Sequence, residues 1–89
     1  MQLWLEAIAK NKRLRGEDLR ILILLIASTD KGKYIEIELS QAEIAKKLEI
    51  QPSGVCRSIK RLVNEKIINK KTIGGKLVGY ELNLPAKTN

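Results

Sequence analysis

Arg57, Lys60 and Arg61 stand three and four positions apart, just after the turn-forming sequence Gln51-Pro52-Ser53-Gly54. On a helix this spacing puts all three on one side with Ser53 and Asn64, while Val55, Ile59, Leu62 and Val63 line the other. Lys70, Lys71 and Lys76 follow around the pair Gly74-Gly75. The chemistry open to such residues is charge pairing and hydrogen-bond donation. A guanidinium offers a rigid fork of donors that matches phosphate oxygens and base edges, and an ammonium offers a mobile point charge. Neither is a nucleophile–base pair, so the pattern points to holding a polyanion rather than to turnover.

The charge of the whole chain agrees. The 89 residues carry a formal charge of +7, with a pI of about 9.8. The segment from 51 to 76 holds seven basic residues and one acidic, so most of the excess lies there. Other chemistries lack their residues. There is no histidine and a single cysteine, which leaves no internal disulfide and almost no zinc ligands. No metal or other cofactor and no enzyme activity is expected. The apolar run at 21–27 is far too short to span a bilayer, and without a cleavage signal after it the chain reads as cytoplasmic.

These cations need elements to position them. Residues 1–10, MQLWLEAIAK, read as a short helix with Trp4 as its largest contact residue, followed by the basic connector NKRLRG. A second helix opens near Gly16, with Glu17 and Asp18 at the positive end of its dipole, and runs to about Thr29. Its apolar residues, Leu19 and Ile21 through Ile26, lie on nearly every side, which predicts a buried helix. After a turn at Gly32, residues 34–39 alternate: Ile35, Ile37 and Leu39 face inward, and Tyr34, Glu36 and Glu38 face out.

Ser40 three residues before Glu43 is a capping box that opens a third helix, with Ile44 and Leu48 as core positions and Ala45 small enough for a close crossing. Pro52 suits the first position of the fourth helix. Residues 67–73 and 77–84 then form a hairpin, with Val78, Tyr80, Leu82 and Leu84 inward and the glycine pair at its tip. With no phenylalanine in the chain, the core must be built from Ile, Leu and Val.

The stretch LSQAEIAKKLEIQPSGVCRSIKRLVNEKII, followed by NKKTIGGKLVGYEL, resembles the winged helix-turn-helix family. The resemblance covers residues 14–84. Within the family the chain is similar to small RepL-type plasmid replication and maintenance proteins, and to MarR-type and Crp-type DNA-binding domains. It implies a single α+β domain. Residues 1–13 form an N-terminal helix and connector, and residues 14–84 a three-helix core with a short strand and a hairpin wing. Residues 85–89 are a frayed tail.

The resemblance further implies sequence-specific binding of double-stranded DNA, in a transcriptional regulator or a plasmid replication protein, with the fourth helix in the major groove. Ser53, Gly54 and Arg57 then lie nearest the base edges, with Arg57 as the reader of guanine. Lys60 and Arg61 fall to phosphates, as do Lys70, Lys71 and Lys76 of the wing. Gln51 reaches an adenine edge or caps the helix. One departure stands out: the family often has glycine after Leu48, where the backbone turns left-handed, and this chain has Glu49.

Each feature has a plainer alternative. Charged helix faces are usually just solvated, and edge lysines deter aggregation. A winged helix that docks a protein instead of DNA keeps the same fold. Cys56, on the flank of the fourth helix, reads as small packing rather than a redox site. The surplus of apolar surface on the N-terminal helix and on residues 21–26 predicts a homodimer, against the alternative that the first helix caps the monomer core. No small-molecule effector pocket is evident.

Overall fold

The computed structural model describes residues 2–29 and 36–83. The chain runs α1 (Gln2–Ala9), α2 (Gly16–Ala27), β1 (Glu36–Ile37), α3 (Gln41–Leu48), α4 (Pro52–Asn64), β2 (Ile68–Ile73) and β3 (Lys76–Leu82). The fold is α+β, with four helices among the described residues and an antiparallel hairpin that β1 extends to a sheet of order β1-β3-β2. This order is compatible with a winged helix. The inward positions Ile35 and Leu84, the outward Tyr34, the turn at Gly32 and the tail from 85 to 89 lie outside the described residues.

The capping box forms as its spacing predicts. The Glu43 N–H donates to the Ser40 hydroxyl at 3.2 Å, and the Ser40 N–H donates to the Glu43 carboxylate at 3.0 Å. These bonds satisfy two of the amides that a helix start leaves without partners. At its other end α3 closes on a left-handed residue, Glu49, with φ 56° and ψ 48°. The Ile50 N–H then reaches back to the Ala45 carbonyl at 3.1 Å, the bond that ends a helix tightly. Glu49→Gly is therefore expected to stabilise the fold by up to about 1 kcal/mol, the greater freedom of unfolded glycine offsetting part of the gain. Denaturant titration of the two proteins measures it.

The core is aliphatic, as a chain without phenylalanine requires. Ile21, Leu22, Leu25, Ile37, Ile44, Val55, Ile59, Leu62 and Ile68 are buried, with Trp4 at one edge and Tyr80 the largest fully buried side chain. Two expectations need correction. α2 is not buried on nearly every side: Ile21, Leu22 and Leu25 face the core, but Ile23 is 65% exposed. The continuous apolar run hid an ordinary amphipathic helix, because Ile23 is apolar and still faces out. The even alternation of the last strand also breaks. Lys71 pairs with Gly79 but Thr72 pairs with Leu77, so Val78 is an extra residue and only half-buried.

β1 and β3 approach unusually closely. A Cβ on Gly79 would lie 1.9 Å from the Ile37 carbonyl oxygen, a separation no side chain tolerates. Glycine at this position lets β1 close over the strand that carries Tyr80.

Candidate nucleic-acid interface

α4 starts with Pro52 at its first turn, where the missing N–H costs nothing, and with Gln51 in extended conformation at the cap. Gln51 occupies the cap, its carbonyl accepting the Gly54 and Val55 N–H groups, while its side chain makes no capping bond and is exposed. Along the outer face of the helix Ser53, Arg57, Lys60 and Asn64 are exposed in a single stripe at i, i+4, i+7 and i+11. Arg57 and Lys60 make no ion pair with a described residue.

Two of the sequence candidates leave this stripe. The Arg61 guanidinium donates to both carboxylate oxygens of Asp18, at 2.8 and 2.9 Å. Asp18 is fully buried near the start of α2 and also accepts the Arg15 N–H at 2.8 Å. Burial pushes the Asp18 carboxyl pKa up, but the Ser58 hydroxyl, the Arg15 N–H and the Arg61 charge and hydrogen bonds together hold it below the ordinary value of 3.8. Arg61 is thus a structural partner of Asp18, held through one guanidinium nitrogen on the flank of the stripe, with its side chain 30% exposed. Gly54 is corrected likewise. It is buried, and a Cβ there would stand 3.1 Å from a Glu17 carboxylate oxygen. It serves close packing of α4 on α2 and is not presented to a ligand.

Gly54, Ser58 and Arg61, at i, i+4 and i+7, therefore form the flank of α4 that meets the acidic start of α2. The sequence carried this signal in two small residues aligned with an arginine, opposite Glu17-Asp18. Helical spacing alone put Arg61 with the other cations, because it lies four positions after Arg57 and so on the same side of the helix. The opposite flank carries Cys56, half-buried near the Tyr80 hydroxyl. Burial raises the Tyr80 pKa, the Gln41 side chain pulling the other way.

The hairpin lysines also separate. Antiparallel partners point to the same side of a sheet. Lys70 pairs with Tyr80, so it shares the sheet face that packs on the helices, and it stays exposed. Lys71, opposite Gly79, lies on the other face, is half-buried and has an interaction of its own within the fold. Lys76, opposite Ile73, is exposed at the tip. The turn between them holds Gly74 and Gly75 at φ 60° and 79°, the positive values a two-residue hairpin needs.

The basic connector is tied down at the far end of α4. The Asn11 side chain donates to Glu65 at 3.1 Å, and Arg13 stands 3.7 Å from the same carboxylate. This places Asn11 and Arg13 at the C-terminal end of α4, away from its first turn. No helix among the described residues is long and apolar enough to cross a membrane. No family model, curated protein or solved structure matches the chain.

Proposed function

We propose that the chain is a winged helix-turn-helix that binds double-stranded DNA in a sequence-specific manner, as a small transcriptional regulator or a plasmid replication protein. The observation that carries this reading is the outer stripe of α4. Ser53, Arg57, Lys60 and Asn64 are exposed, their charge is of one sign, and no acidic residue of the helix interrupts it. Gly54 and Arg61 hold the helix on α2 so that this stripe faces outward. A helix so presented fits the major groove, with its first turn toward base edges and its later cations toward phosphates.

Arg57 is the base reader in this arrangement, with Gln51 and Ser53 beside it, and Lys60, Lys70 and Lys76 contact the backbone. Arg57→Ala is expected to relax preference at one base pair by about 1–3 kcal/mol. Lys76→Ala is expected to weaken all sequences alike and lower the salt slope by about one. Selection from a randomised duplex library, followed by anisotropy titration across salt, measures both. Absence of enrichment together with negligible affinity at low salt removes this reading and leaves a protein partner as the occupant of the stripe.

The second part of the proposal is a homodimer. Trp4 and Ile8 are buried in the monomer's own core, which narrows the apolar surplus to Leu3, Leu5 and Ile23. Ile23 lines an open groove of about 340 Å³ with Arg20, Leu24, Ala27 and Leu48. A two-fold dimer would select an inverted repeat with half-sites about 10 bp apart or a multiple of that spacing.

A further inference from the structure

The hairpin ends in an apolar tip that neither the fold nor phosphate contact explains. Ile73 is 63% exposed and Leu77 41% exposed. They occupy neighbouring rungs at the end of the ladder, with Ile73 opposite Lys76 and Leu77 opposite Thr72. The register puts them on opposite faces of the ribbon, so the tip is apolar on both sides. β2 is an edge strand, where a bare isoleucine invites unwanted pairing and polar residues are the usual protection.

Three properties converge on one occupant. First, the run from 66 to 80 contains four lysines and no acidic residue, so a polyanion is favoured along its whole length. Second, the turn is made of two glycines, although a type I′ turn accepts asparagine or aspartate at its first position. With Gly74 and Gly75 the leading end of the ribbon has no side chain and is as narrow as a hairpin can be. Third, the first side chain behind that end is Ile73, with the Lys76 ammonium beside it. Proteins that bend DNA from the minor groove present this combination, a slender cationic element carrying an aliphatic wedge that parts a base step.

We infer that the β2–β3 tip enters the minor groove and that Ile73 wedges a base step open, bending the duplex toward the protein, with Lys76 on the flanking phosphate. This rests on the DNA-binding reading. Bending would let a small domain wrap more backbone than α4 alone reaches. It would also favour flexible pyrimidine–purine steps at the wedge, a preference set by deformation and not by base contacts.

The test is the distance between donor and acceptor dyes at the two ends of a duplex, measured with the full chain bound. The duplex carries the sequence recovered by selection, or mixed sequence of the same length if selection enriches none. The wild type is expected to bend the duplex by roughly 20–90°. Ile73→Thr, at an exposed position and still β-branched, is expected to bind with most of that bend lost. Ile73→Leu, which keeps an aliphatic wedge, is expected to retain the bend.

A wild type that binds tightly and leaves the duplex straight overturns the wedge while the DNA-binding reading stands. So does an Ile73→Thr variant that bends DNA as the wild type does. A wild type that binds no duplex at low salt overturns both. Capture by anionic phosphatidylserine vesicles, lost in Ile73→Thr and present without DNA binding, would assign the tip to a lipid surface and overturn the inference.

Discussion

Arg61→Met is expected to destabilise the fold by about 3–5 kcal/mol, because it leaves the fully buried Asp18 carboxylate without its countercharge. A helix-surface cation that only meets phosphate would not do this; Lys60→Met, one position away and exposed, is expected to change stability by no more than about 0.5 kcal/mol. The two variants therefore separate structural from ligand-binding cations on one helix. Denaturant titration gives the first effect and DNA titration the second. Adding Asp18→Asn to Arg61→Met is expected to recover much of the loss, since the amide keeps an acceptor for the Arg15 N–H and removes the buried charge.

The pH dependence has a defined sign. The folded Asp18 carboxyl lies below its ordinary value of 3.8, so its contribution to stability is complete above that value. It is lost as the pH falls from there through the lower folded pKa. Removing Arg61 takes away part of what lowers the folded pKa, so the Asp18 contribution to the acid limb should shrink in Arg61→Met, its loss still starting at the ordinary value and ending at a higher pH. A loss under about 1 kcal/mol in Arg61→Met, combined with a large fall in DNA affinity, would return Arg61 to the interface.

The second large effect lies at Gly79. Gly79→Ala is expected to cost about 3 kcal/mol, the upper end for overpacking, because the added carbon meets the backbone oxygen of Ile37 at 1.9 Å. A side-chain neighbour could rotate away, but a carbonyl in a paired strand moves only with its strand. β1 must then leave β3, uncovering Ile37 and Tyr80, both fully buried. Gly79→Val adds bulk at the same point and is expected to leave the chain unfolded. Circular dichroism melts of the two variants check this. An unchanged melting temperature in Gly79→Ala would mean that β1 does not close on β3.

Local patterns were legible because they depend on residues near one another in the chain. The Ser40–Glu43 box, Pro52 at the start of α4, the glycine turn and the apolar stripe of Val55, Ile59 and Leu62 all formed where their spacing placed them. Glu49 is another such case: a single position after Leu48 took the left-handed backbone, and glutamate adopted it where glycine was expected. α2 was harder. An unbroken apolar run carries no phase, so nothing in it distinguishes the exposed Ile23 from the buried Ile21, Leu22 and Leu25 beside it.

By itself the sequence determined that the chain is basic, that its cations cluster on one helix and the following hairpin, and which local elements carry them. Periodicity and composition are properties of neighbouring residues, and they survive without knowledge of packing. The tertiary structure decided which of those cations are available. Arg61 is taken by Asp18, 43 positions away in the chain; Gly54 is taken by Glu17, and Lys70 is divided from Lys71 by the pleat. Partners distant in sequence leave no mark in helical spacing, because the side of a helix that meets another element is chosen by the packing of both.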